Sequence, residues 1–358
     1  MICAARRHAR ESVKSLCLLL LFCCPGLCQA SAADEPTPVR IGLTHEASVA
    51  PLLIAIDAGF FKSAGLNPQL VFFDRDSSVS AAVASGNVDI GMAALSATFY
   101  RHAAAQRLKI IASRSSDQTG FPMYALLVSR KAHAAGFTGV RELAHARIGI
   151  ADTDSGTYYA LFNIVSRFGL DPGSIKTISL KSPAGELGAL SRGDVDAALL
   201  PFATALHSAS RREPLLPLSD FAQWQQGVVF TTAKNIATRR NLIDRFMRAY
   251  QRGTADYQLN FLSYDDGGDF IPGPHYDKYL DLIARQVQIS SDMLAVTKTY
   301  CDRRANLDVT DIKKQVQFWQ NQGRLDKRVA AVALLDHWRG DVAHLANPLH
   351  ASLALLQS

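Results

Sequence analysis

The chain repeats itself with a period of about a hundred residues, and that period limits what it can fold into. Arg40-Ile41-Gly42 returns 107 positions later as Arg147-Ile148-Gly149, and Gly86-Asn87-Val88-Asp89 returns at the same offset as Gly193-Asp194-Val195-Asp196. Between them, Gly65-Leu66-Asn67-Pro68 is echoed 104 positions on by Gly169-Leu170-Asp171-Pro172. A near-constant offset marks a duplicated structural unit. The chain is therefore expected to build two similar lobes, with the gap between them as the natural place for a small molecule.

Each repeat reads as strand, helix, strand, helix, strand. In the first, Val39 to Leu43 is a strand, Pro51 starts a helix that runs to Ala64, and Gly65 ends it. Leu70 to Phe73 is the next strand, Ser77 and Ser78 can cap a helix over Val79 to Ala84, Gly86 stops it, and Val88 to Met92 is the third strand. The second repeat runs in parallel: strand Arg147 to Ala151, helix Tyr158 to Phe168, strand Ile175 to Leu180, helix Gly185 to Leu190, strand Val195 to Leu200. Alternating strands and helices imply parallel sheets with right-handed crossovers. Leu108 to Ala112, Tyr124 to Ser129 and Val228 to Thr232 read as further strands, and Leu242 to Phe261, Val309 to Asn321 and Val329 to Trp338 have helical apolar spacing. Hinge crossings are expected near Arg114 to Phe121 and after Thr232.

Residues 1–33 read as an export signal. Arg6, Arg7, Arg10 and Lys14 precede the apolar run Leu16 to Cys24, and small residues follow at Ala30 to Ala33, which places cleavage at or soon after Ala30. The apolar run is too short to span a bilayer as a helix. The organisation expected is residues 1–33 as signal peptide, 34–121 plus 238–358 as the first lobe with its C-terminal helices, and 122–237 as the second lobe. Five of the six cysteines leave with the signal, so Cys301 has no partner for a disulfide within the remaining chain. The formal charge falls from +6 to about +3 with the signal removed. The arginine pairs are scattered without aromatic interleaving, and no nucleic-acid partner is implied.

Ligands of open parallel sheets bind beyond the carboxyl ends of the strands, where helix N-termini present free N–H groups. Those loops hold Thr44, His45, Ser77, Ser78 and Ser96 in the first repeat, and Ser155, Gly156, Thr157, Tyr158 and Phe202 in the second. Hydroxyls, amides and a few aromatics make a binding surface, not an obvious catalytic one. Tyr158 and Tyr159 are adjacent on a helix, so at most one of them is expected to face the cleft. Arg114, near a crossing, either pairs an acid group or lies on the surface. Asp152 and Asp154 lack further ligands at metal-binding spacing, so no metal and no cofactor is expected. Gly-x-Ser-x-Gly, a metal-spaced His-Glu pair and a phosphate loop are all missing from the sequence.

The run Pro51-Leu52-Leu53-Ile54-Ala55-Ile56-Asp57-Ala58-Gly59-Phe60-Phe61-Lys62-Ser63-Ala64-Gly65-Leu66 resembles the first helix of the ABC-transporter substrate-binding proteins for nitrate, taurine, alkanesulfonates and thiamine-precursor pyrimidines, the NMT1/THI5-like family. The resemblance continues through Ser85 to Gly91, Ser191 to Asp196 and Leu307 to Ile312, with Trp319 in the following helix. It implies a type II periplasmic-binding fold whose two α/β lobes close on a ligand, with the C-terminal helices packed on the first lobe. It also implies a periplasmic, monomeric protein that presents a small anion or a pyrimidine-like heterocycle to an ABC permease in the inner membrane. A membrane sensor as partner, or an enzyme on the same fold, are the alternatives. Pro201-Phe202 falls where many members carry a Trp-acid-Pro segment, so an indole and a carboxylate are expected to be missing from the cleft.

Overall fold

A computed structural model of the protein describes residues 35–209 and 213–336; the expected signal peptide lies outside the described residues. In chain order, β1 (Thr37–Leu43) leads to α1 (Ala50–Asp57) and α2 (Phe60–Ser63), then β2 (Leu66–Phe72), α3 (Asp76–Ser85), β3 (Ile90–Ala94), α4 (Ala97–Gln106) and the long β4 (Leu108–Asp117). The chain crosses into β5 (Tyr124–Val128), α5 (Arg130–Ala134), β6 (Arg147–Ile150), α6 (Gly156–Arg167), β7 (Lys176–Ser179), α7 (Pro183–Arg192), β8 (Ala197–Pro201), α8 (Phe202–Ser208) and β9 (Leu215–Pro217). It returns through β10 (Trp224–Thr232) to α9 (Ala233–Thr238), α10 (Arg240–Phe261), α11 (Tyr276–Val287), α12 (Ser291–Val296) and α13 (Val309–Asn321).

Two five-stranded sheets result, ordered β2-β1-β3-β10-β4 and β7-β6-β8-β5-β9. In each, the three strands of the repeat are parallel, and the fourth position is filled by an antiparallel strand from outside it. The repeat is carried down to helix length: α3 and α7 each have ten residues, end at the left-handed glycines Gly86 (φ 79°) and Gly193 (φ 75°), and start 107 positions apart. Helix α10 packs on α1 beneath the first sheet, where Phe246, Tyr250 and Ile54 are buried. Helix α13 reaches further. Its Trp319 stacks on Tyr158 of α6 (ring centroids 6.2 Å apart), and its Gln315 accepts a hydrogen bond from the Tyr100 hydroxyl of α4 (3.2 Å).

The repeated motifs explain each other. The backbone N–H of Arg40 donates to Asp89 Oδ2 (2.8 Å), while Nη2 of Arg40 reaches the Gly86 carbonyl (2.8 Å). In the second lobe, Arg147 N–H donates to Asp196 Oδ2 (2.8 Å), and Arg147 Nη2 reaches Asp196 Oδ1 (2.8 Å) and the Gly193 carbonyl (3.0 Å). One clasp therefore ties the first strand of each lobe to the turn that ends a helix and to the aspartate that opens the third strand. Each aspartate stands at the start of its strand, whereas the residues that border the cleft, such as Ala94 and Pro201, stand at the end. The most specific sequence signal is thus structural and belongs to the end of the sheet away from the cleft.

Several expectations need correction. The helix expected from Pro51 to Ala64 breaks at Gly59, whose left-handed backbone (φ 72°) separates α1 from α2. The crossing expected at Arg114 is strand instead. β4 continues to Asp117 because its polar residues find partners on β10: Gln225 Nε2 lies 2.8 Å from both Ser113 Oγ and the Ser115 carbonyl. The second lobe does not extend to residue 237, since β10 is hydrogen-bonded between β3 and β4 in the first sheet. An apolar run such as Val228 to Phe230 carries no mark of the sheet it joins. The helix expected over Val329 to Trp338 is, within the described residues, a 3-10 turn at Ala331–Leu334 followed by Leu335, which bridges to Ile110 at the edge of the first sheet.

Burial alone would raise the carboxyl pKa of Asp89, but the Arg40 N–H and the Arg239 and Arg40 side chains outweigh it and hold it below the ordinary value. Removing that acceptor leaves the part-buried Arg40 N–H and the Arg40 and Arg239 guanidinium groups without it. Asp89→Ala is expected to cost about 2 kcal/mol in urea unfolding. A loss under about 0.5 kcal/mol would reduce the clasp to an ordinary surface pair.

Candidate functional site

The carboxyl ends of both sheets open onto one cleft of about 880 Å³. Four helix starts border it. The N-terminus of α4 is capped by Ser96, whose Oγ accepts from Phe99 N–H (3.0 Å), and that of α6 by Ser155, whose Oγ accepts from Tyr158 N–H (3.3 Å). Thr157 Oγ1 lies 2.7 Å from Ser155 Oγ, so two hydroxyls and the Gly156 and Thr157 amides meet at the start of α6. A Cβ at Gly156 would stand 2.6 Å from the Leu95 carbonyl and from the Trp224 ring, so only glycine lets this helix start approach the first lobe so closely. The loop before it is anchored there too: Ala97 N–H donates to the Asp154 carbonyl (3.0 Å), and the Asp154 carboxylate is paired with Arg101 (2.8 Å) and Arg324.

The other two helix starts are acidic. Asp76 is the first residue of α3, and Glu186 lies in the first turn of α7; both border the cleft. Glu186 is wholly buried, and neither of its carboxyl oxygens has a hydrogen-bond partner among the described residues. Oδ1 of Asp76 is likewise shut off from solvent and unpartnered. Desolvation pushes Glu186 up to about 8. It pushes Asp76 up to about 7, helped by nearby Glu46 and opposed by Arg114 and the Ala94 N–H.

Arg114 supplies the floor beneath this acidic side. It is fully buried, with Nη2 2.9 Å from Glu46 Oε2 and 3.2 Å from Gln226 Oε1. The pairing of β10 with β4 slips on both sides of Gly227, leaving Arg114 and Gln226 out of the ladder. Such a bulge re-aims side chains, here turning Gln226 to the cleft. Gly227 makes the room: a Cβ there would stand 2.4 Å from Arg114 Nε.

Of the residues expected from sequence, Thr44, His45, Ser77, Ser96, Ser155, Gly156 and Thr157 border this one cleft. His45 stacks on Phe72 (ring centroids 4.3 Å apart), and Thr44 Oγ1 is buried without a partner. Ser77 does so from inside the first turn of α3, not as its cap, because the helix begins at Asp76 and its capping position is Arg75. Ser78, in the same turn, does not border the cleft. Tyr158 does not face the cleft either; it packs against Phe162 and Trp319, while the Tyr159 hydroxyl donates to the buried Asp311 (2.5 Å). Both rings are turned away by helix geometry that also sets Thr157 toward the opening. Phe202, at the start of α8, lines an adjoining pocket of about 520 Å³ with Met123 and Met293. Of the two expectations for Arg114, pairing with an acid group holds and a surface position does not: it is buried and paired with Glu46, with Nε and Nη1 lacking a hydrogen-bond partner among the described residues.

The indole and carboxylates expected to be missing from the cleft are supplied from elsewhere. Trp224 of β10 borders it, with Nε1 donating to Asp117 Oδ2 (3.2 Å), and Glu46, Asp76 and Glu186 contribute carboxyl groups. Sequence spacing gave no sign of Trp224 or Glu186, since each reads as part of an ordinary strand or helix. Cys301 lies in the core beneath the first sheet, where burial pushes its thiol well above the ordinary value. Among the described residues there is no cluster of metal-ligating side chains, and no helix is long and apolar enough to cross a membrane.

The sequence model of a family described as NMT1/THI5 like matches residues 46–260. The taurine-binding periplasmic protein of Escherichia coli (strain K12) is 25% identical over 241 residues, 66% of this chain and 71% of that protein. The structure of the periplasmic aliphatic sulphonate binding protein SsuA from Escherichia coli matches with a TM-score of 0.64 at 15% identity, covering 84% of this chain and 97% of that one. The desulfurization enzyme DSZB matches with a TM-score of 0.56 at 13% identity, over 90% of this chain and 100% of that one. The two structural matches establish a shared fold of the periplasmic-binding type.

Glu186, Asp76 and Asp117 keep protons in the folded state up to about 8, about 7 and about 7, whereas their ordinary values are 4.5, 3.8 and 3.8. The folded chain therefore holds more protons than the unfolded one between those limits, and stability falls as pH rises through that window. The melting temperature of the ligand-free protein is expected to drop from pH 5 to pH 8 and to drop less in Glu186→Gln. A flat profile for the wild type would contradict the burial of these groups.

Proposed function

The chain belongs to the NMT1/THI5-like family, and from that premise we propose that it is the periplasmic solute-binding component of an ABC importer for a small organic ligand of the taurine or sulfonate type. The observation that carries the reading is the convergence of helix starts from both lobes on one cleft, with the hydroxyls and amides of Ser96, Ser155, Gly156 and Thr157 on one side. Free N–H groups at helix starts favour an anionic group such as a sulfonate. The cleft volume of about 880 Å³ far exceeds such a ligand, which fits a binding cycle in which the lobes draw together around it.

In this cycle the ligand lands on one lobe and is then touched by the other. Closure follows from its higher affinity for the closed state. The segments between β4 and β5 and between β9 and β10 act as the hinge, the lobes being residues up to Asp117 with Trp224 onward, and Tyr124 to Pro217. An ABC permease in the inner membrane receives the ligand from the closed form. The 25% identity to the taurine-binding protein supports this class above the nitrate and pyrimidine alternatives.

A thermal-shift screen with nitrate, taurine, ethanesulfonate and an aminopyrimidine tests the reading. A true ligand at a hundred times its dissociation constant adds roughly 2.7 kcal/mol, which is several degrees. Taurine or ethanesulfonate is expected to raise the melting temperature, and absence of any shift with both would remove the sulfonate reading. Thr157→Val is expected to weaken the hit about tenfold, the worth of one hydrogen bond to a charged group, with little change in the melting temperature of the free protein. Unchanged affinity would take the start of α6 out of the site.

A further inference from the structure

The cleft is polarised, and the buried cation beneath its acidic side, Arg114, is paired with Glu46 (2.9 Å). The other charged groups that border it are paired or exposed, Asp74 and Asp152 among the exposed. Asp154 takes up Arg101 (2.8 Å) and Arg324, and Arg75 is exposed at the rim. That leaves Glu186, wholly buried with both oxygens unpartnered, and Asp76, with a buried unpartnered Oδ1. They stand on α3 and α7, the two helices that the internal repeat relates, so each lobe brings one.

Unpaired buried carboxyl groups are costly in the free protein, and a chain concerned only with folding would replace them with an apolar residue or pair them. Their position also matters for ligand charge. The starts of α3 and α7 are already occupied by side-chain carboxyl groups, which in their ionised form would repel an anion that the starts of α4 and α6 would accept. A ligand that is only an anion uses half of this cleft and leaves the carboxyl groups of the other half unmatched.

We propose that Asp76 and Glu186 form a subsite for a protonated amine, so that the ligand is a zwitterion: an ammonium or amidinium group gripped by one carboxylate from each lobe, and an anionic group at the starts of α4 and α6. This deepens the sulfonate reading and rests on it for the anionic end only. Because each lobe supplies one carboxylate, the cationic end draws the lobes together, and the unpartnered oxygens of Glu186 and Asp76 gain a partner in the closed, loaded state.

Isothermal titration calorimetry at pH 7.5 with taurine, ethanesulfonate and ethanolamine separates the ends. Taurine is expected to bind at least tenfold more tightly than ethanesulfonate, and Glu186→Gln and Asp76→Asn are each expected to bring the two toward parity. Glu186→Gln also melts at or above the wild-type temperature at pH 8 without ligand, which shows that lost preference is not lost folding. Ethanesulfonate binding as tightly as taurine, or a preference for taurine that survives in both variants, overturns the subsite and leaves the sulfonate reading standing. Ethanolamine binding with no response to either sulfonate supports the subsite and removes the sulfonate reading. Failure of both taurine and ethanolamine to bind overturns the subsite.

Discussion

Where β10 returns beside β4, the ladder slips around Gly227, and the cleft depends on that slip. It sets Arg114 and Gln226 outside the regular pairing, buries a guanidinium in the first sheet, and draws Glu46 down onto it at 2.9 Å. The same strand carries Trp224 against the start of α6 and Gln225 into the polar seam between β4 and α13. Gln225 N–H donates to Asp311 of α13 (2.8 Å), and Asp311 also accepts from Tyr159 of α6 (2.5 Å). One returning strand thus fixes the charge beneath the cleft, one of its walls and the approach of the second lobe.

The charge pattern follows from this arrangement. A buried arginine needs a carboxylate, and Glu46 meets that need from the loop after β1. Asp154 is likewise spent on Arg101 and Arg324, which hold the start of α6 against α4. What remains for a ligand is a hydroxyl and amide side at α4 and α6 and a carboxyl side at α3 and α7.

Much of the fold was legible because it is written twice. The 107-residue offset located the lobes, and Gly86 and Gly193 end α3 and α7 where the sequence places them. The motifs that carry the repeat turned out to clasp the sheet at the end away from the cleft, through Arg40 with Asp89 and Arg147 with Asp196. The cleft was legible where a hydroxyl caps a helix, as at Ser96 and Ser155, because capping and ligand contact ask for the same residue at the same place. It was illegible where tertiary pairing decides. Nothing local says that Val228 to Phe230 joins the first sheet, that Tyr158 turns to Trp319 and away from the opening, or that Glu186 in an ordinary helix turn has no partner.

In the proposed cycle a small ligand bridges two lobes and closes them. Small-angle X-ray scattering of the purified protein, with and without taurine at a concentration shown by calorimetry to saturate it, tests this most directly. The loaded protein is expected to have a smaller radius of gyration, and an unchanged scattering profile under verified saturation would rule closure out.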